Sequence, residues 1–167
     1  MNQHQPPQPP PPPPMPPAQF LDTTLHTLGF EIDLYSPKKV SGHLLVNSKC
    51  CQPFKKLHGG VSALIAEGLA SIGAFLAAPE PQRVAGVHLG IHHLKSAQLG
   101  DFVVAEATPV NVGRTIQVWE VRLWKSDPSN SEIKTLIASS RVTLLCNLPL
   151  AESDKVAAQN IKKMAKL

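Results

Sequence analysis

The chain has 167 residues and a formal net charge of +4, its lysines and arginines scattered along the length. That length holds one domain with a sizeable core, and the dispersed, mildly positive charge argues against nucleic-acid binding while suiting a ligand that carries phosphates. The three cysteines, Cys50, Cys51 and Cys146, are odd in number with two adjacent, a poor disulfide framework; they are expected to be reduced and structural.

Residues 1–19 are dominated by proline, with residues 9–14 unbroken, which favours extended polyproline II and cannot build a core. They are expected to form a tail, with the folded domain over 20–149 and a second tail over 150–167. The start lacks the basic-then-apolar order of a secretory signal. Residues 21–28 are predicted as a short helix, capped by Asp22 or Thr23 and ended by Gly29. Residues 31–35 and 40–46 alternate as strands, and residues 47–57 form a loop carrying Gln52.

His58-Gly59-Gly60 then opens a long apolar segment ending near Ala78. Two glycines suit a tight loop feeding a helix N-terminus, whose first amides lack backbone partners and lie at the positive end of the helix dipole. Such a terminus can hold a developing oxyanion. Glu67 is the only charged residue between Lys56 and Glu80, and none of its neighbours three or four positions away is basic. A carboxylate on a helix apolar nearly all round is costly to bury without a purpose, which marks Glu67 as a functional acid. Val61–Ala78 is interrupted by Glu67 and carries Gly68 and Gly73, so it is read as a core helix rather than a membrane span.

Beyond the helix, residues 84–93, 102–110, 115–125 and 134–147 are predicted as four strands with short turns between them, implying a mostly antiparallel sheet of about six strands. In the 115–125 strand, Gln117, Trp119, Val121 and Leu123 face opposite to Ile116, Val118, Glu120 and Arg122. A sheet that buries an apolar helix on one face gives an α+β domain. Residues 154–165 have the pattern of a short amphipathic helix.

The motif resembles the hotdog-fold acyl-CoA thioesterases over residues 25–148: His58-Gly59-Gly60, Glu67 nine positions after the histidine, Ser71 four further on, and Gln52 six before it. The segments Cys50-Cys51-Gln52-Pro53-Phe54, His93-Leu94-Lys95-Ser96-Ala97 and Ile116-Gln117-Val118-Trp119-Glu120-Val121 are similar to plant peroxisomal 1,4-dihydroxy-2-naphthoyl-CoA thioesterases, enzymes of phylloquinone biosynthesis. The resemblance implies a sheet wrapped around a central helix, a homodimer often paired into a homotetramer, and an acyl-CoA substrate with no separate cofactor. Within it the Gly59 amide is the oxyanion donor, Glu67 is general base or nucleophile, Ser71 supports the carboxylate, and Gln52 and His58 stand near the thioester. In one straight helix Gly59 and Glu67 lie about 12 Å apart along the axis, too far to touch one carbonyl. The resemblance resolves this by taking Gly59 from one subunit and Glu67 from the other.

Gly60, His92, His93, Lys95, Arg114 and Arg141 are candidates for substrate binding, the three cations for the phosphates of coenzyme A. A metal site is not expected, because His88 and His92 share a strand face about 13 Å apart. A cysteine nucleophile paired with His58 and a non-catalytic acyl-CoA-binding module are weaker alternatives, and the Asp-x-Asn-Pro-x-His pattern of hotdog hydratases is absent. Ala165-Lys166-Leu167 is a variant of the peroxisomal address, which implies an import receptor as partner and the peroxisome as location.

Overall fold

Asp22 caps the first helix, α1 (Thr23–Leu28), its Oδ1 accepting the Leu25 amide at 2.9 Å, and Gly29 ends it in the left-handed region at φ 86°. The computed structural model describes residues 22–127 and 129–166, with the side chains of residues 130–133 left out. The proline-rich segment and Leu167 lie outside the described residues.

Two strands follow, β1 (Phe30–Leu34) and β2 (Val40–Leu45), and then the central helix α2 (Gly59–Ala77). Four more strands come after it: β3 (Arg83–His93), β4 (Phe102–Val112), β5 (Ile116–Asp127) and β6 (Asn130–Leu148). They form one six-stranded antiparallel sheet in the order β1-β2-β4-β5-β6-β3. The first strand after the helix thus crosses to the far edge and pairs only with β6.

The sheet wraps α2, which packs against β2, β3, β4, β5 and β6. α2 is long and apolar enough to cross a membrane, but most of it is buried inside this wrap. Its small residues let it sit close: a Cβ on Gly73 would lie 2.5 Å from the Trp119 ring, so only glycine fits there. The alternation in β5 identified two faces, and the structure puts Gln117, Trp119, Val121 and Leu123 inside. A buried Gln117 is tolerable because its Nε2 donates to the Ala74 carbonyl at 3.1 Å and its Oε1 accepts from Trp119 Nε1 at 2.9 Å.

Two features position the site. β3 is an edge strand whose register shifts between Gly86 and His88, which leaves Val87 57% exposed. Its outer edge is unpaired among the described residues. The segment expected as a C-terminal tail holds a helix, α3 (Lys155–Met164), that packs back on α2: Ala158 is buried, and Leu150 and Ile161 lie against the core.

Candidate active site

The loop before α2 is tied down as a small hairpin. Cys51 bridges Leu57, the Gln52 amide donates to the Lys56 carbonyl at 2.8 Å, and Lys55 takes a positive φ of 57° at the turn. Gln52 Oε1 accepts the Phe54 amide at 2.6 Å. The side-chain oxygen is therefore engaged, and the NH2 is the donor left for a ligand.

His58 is the N-cap of α2. Its Nδ1 accepts the Gly60 amide at 2.9 Å, and its carbonyl accepts the amides of Val61 at 2.9 Å and Ser62 at 3.2 Å. An accepting Nδ1 puts the ring proton on Nε2. Gly60 is thereby spent on the cap, whereas the Gly59 amide has no partner among the described residues. It is an unsatisfied donor at the positive end of the helix dipole, which is what an oxyanion needs. The His93 ring packs over it: a Cβ on Gly59 would lie 3.1 Å from His93 Cε1. Gln52, Lys56, Gly59, His93 and Lys95 line a cavity of about 440 Å³ floored by Ala138.

Glu67 lies two helical turns further on and is half-buried. Its Oε1 accepts the Ser71 hydroxyl at 2.7 Å, and no cation pairs with it among the described residues. The β3 backbone passes close, because a Cβ on Gly86 would lie 3.1 Å from Glu67 Oε1. Glu67, Ser71, Ile72, Phe75 and Arg83 line a second cavity of about 390 Å³, and the two cavities share no residue. Gly86 and His93, which mark the two ends, are about 23 Å apart at standard strand rise.

The structure therefore gathers the candidates into two groups. Gln52, Gly59, His93 and Lys95 form one, with His58 and Gly60 holding the helix start; Glu67 and Ser71 form the other. His92 is exposed opposite Ser139 and lines neither cavity. Arg114 is exposed in the turn between β4 and β5, and Arg141 is exposed between Gly90 and Glu120. Lys56, whose Nζ donates to Ser96 Oγ at 3.3 Å, joins the first cavity unannounced by the sequence pattern, since only the Lys56–Gln98 bridge brings it there.

Burial pushes the thiols of Cys51 and Cys146 above their ordinary pKa, so neither offers a thiolate near neutral pH. Cys50 Sγ is bound to the Asn47 backbone and all three cysteines are free. Among the described residues no three His, Cys, Asp or Glu side chains gather as a metal site.

The thioesterase superfamily model matches residues 54–131. The 1,4-dihydroxy-2-naphthoyl-CoA thioesterase 2 of Arabidopsis thaliana is 54% identical over 145 residues, 86% of this chain and 92% of that protein. A thioesterase structure from Haemophilus influenzae superposes with a TM-score of 0.66 at 34% identity, spanning 77% of this chain and 85% of that one. A Staphylococcus aureus thioesterase, TM-score 0.66 and 28% identity over 75% of this chain and 98% of that one, was crystallised with a glutamate replaced by alanine. It was also crystallised with a glutamine so replaced, and those two positions are separated by the same interval as Gln52 and Glu67.

Proposed function

The chain belongs to the thioesterase superfamily and is an acyl-CoA thioesterase, and on that premise we propose that its substrate is 1,4-dihydroxy-2-naphthoyl-CoA, cleaved by water to 1,4-dihydroxy-2-naphthoate and coenzyme A. The Arabidopsis relative of that name supports the acyl group, with phylloquinone biosynthesis as the pathway that takes the product.

The catalytic arrangement rests on one observation. The Gly59 amide and the Glu67–Ser71 pair sit at opposite ends of β3, and among the described residues that amide and the outer edge of β3 have no hydrogen-bond partner. Two copies paired antiparallel along that edge, centred between Leu89 and Gly90, set Gly86 of each against His93 of the other. The carboxylate of one subunit then meets the helix start of its twin, and a homodimer holds two composite sites. A further pairing of dimers gives the homotetramer.

In each site the thioester carbonyl accepts from the Gly59 amide and the Gln52 NH2, which stabilise the oxyanion as it forms. Ser71 holds one oxygen of Glu67, and the other takes a proton from the attacking water. Collapse of the tetrahedral species expels the coenzyme A thiolate. Lys56 and Lys95, at the mouth of the first cavity, supply positive charge for the phosphates.

Release of free thiol from a panel of acyl-CoAs tests the substrate. The highest kcat/KM is expected for 1,4-dihydroxy-2-naphthoyl-CoA, ahead of benzoyl-CoA and palmitoyl-CoA; a preference for the fatty acyl ester overturns the assignment. The peroxisomal address is tested separately. A fluorescent protein ending in Ala165-Lys166-Leu167 is expected to collect in peroxisomes, and a signal spread through the cytosol removes that part of the proposal.

A further inference from the structure

The cavity beside Glu67 has a wall that the thioesterase chemistry leaves unexplained. One side of α3 faces it: Ala157, Ala158 and Ile161, with Asp154 at the N-cap just before the helix, follow the i, i+3, i+4, i+7 spacing of a single helix face and all line the space. Ile72 and Phe75 of α2 line it from below, and Glu67 and Ser71 stand at one end. The other side of α3 is turned away, with Val156 64% exposed and Lys155 and Lys162 bordering a different groove.

The space is an open cleft of about 390 Å³, bounded by α2, α3 and the start of β3 and within the range of small-ligand pockets. The sequence explains why it stays open. Ala158 is the α3 residue buried against the core and Ala157 is exposed beside it, and their short side chains leave the volume that larger residues would fill. The lining is apolar along Ile72, Phe75, Leu150 and Ile161 but carries Asp22 and Arg83 as well, so it suits a flat ring bearing hydroxyl groups better than a plain alkyl chain.

We infer that α3 is the outer wall of the acyl-receiving pocket and that Ala158 and Ile161 set the size of acyl group the enzyme accepts. The inference rests on the reading of Glu67 as the catalytic carboxylate, and it assigns a specificity role to a helix outside the sheet-and-helix domain. Neither residue touches the reacting atoms, so their substitution changes which acyl group is preferred rather than whether hydrolysis occurs.

The test uses the full chain and two variants, assayed with 1,4-dihydroxy-2-naphthoyl-CoA and benzoyl-CoA. Ala158→Phe fills the cavity and is expected to lower kcat/KM for the naphthoyl ester by at least about tenfold relative to the benzoyl ester, the scale on which pocket volume discriminates substrates. Ile161→Ala enlarges the cavity and is expected to move the ratio the other way, favouring bulkier acyl groups. A melting curve confirms that each variant is folded, and Ile161→Ala decides the matter alone should Ala158→Phe not fold. An unchanged ratio in folded variants overturns the inference while the thioesterase reading stands. Wild-type protein that releases no thiol from any ester overturns that reading instead.

Discussion

Glu67→Ala is expected to lower kcat by roughly 10²–10⁴-fold, the usual contribution of a positioned general base, while the melting temperature stays close to that of the wild type. Both halves follow from its surroundings. Glu67 makes one hydrogen bond, to Ser71, and no ion pair among the described residues, so little of the fold depends on its charge. It is half-buried and held by Ser71 beside the Gly86 backbone of β3, the end of that strand which the proposed pairing sets against the partner's helix start. Glu67→Gln sharpens the test, because the amide oxygen still accepts from Ser71 while the basic oxygen is gone. A comparable loss of kcat in Glu67→Gln supports proton transfer; near-normal turnover in that variant removes Glu67 from the chemistry. Ser71→Ala, which frees the carboxylate without deleting it, is expected to cost less than either.

Much of this arrangement is legible from local pattern. Asp22 and Gly29 bracket α1 as capping chemistry predicts, and the alternation of β5 is regular enough to place its strand and divide its faces. What local pattern does not carry is adjacency. The strand pattern groups Gln117 with Trp119, Val121 and Leu123, but its partners, the Ala74 carbonyl and the Trp119 indole, are supplied by the wrap of the sheet. His92 and His93 are equivalent as letters, and only the pairing of β3 with β6 and the approach of α2 decides that His93 lies over Gly59. Arg114 and Arg141 are candidates for phosphate binding as turn and strand cations; neither lines either cavity, whereas Lys56 and Lys95 both line the first. The amphipathic pattern over 154–165 marks α3, but not that Ala158, with Ile161 beside it, seats this helix on the core. The motif sets His58 near the thioester, and only the geometry at the helix start shows its Nδ1 committed to the Gly60 amide.

The separation of the Gly59 and Glu67 cavities yields the other large expected effect. Gly59→Pro deletes the amide donor with little penalty to the helix, since proline is favoured at the first helical position, where the N–H has no partner in any case. The residue before it must be extended, and His58 already is, at φ −68° and ψ 131°. The His93 ring, 3.1 Å from a Cβ at this position, need shift by only a few tenths of an ångström. Gly59→Pro alone is expected to lose roughly 10²–10³-fold in kcat, as for other oxyanion donors, so that it and Glu67→Ala are each nearly dead. Mixed in one dimer, however, they complement. One site then takes its amide from the Glu67→Ala chain and its carboxylate from the Gly59→Pro chain and is whole, while the other site carries both lesions. Random assortment of co-expressed chains makes about half of the dimers mixed, which returns roughly a quarter of wild-type activity per subunit. A site contained in a single chain gives no recovery at any mixing ratio, because every chain then keeps its own lesion. The assay therefore distinguishes a carboxylate that acts across β3 from one that acts within its own subunit, a difference that neither single variant reveals.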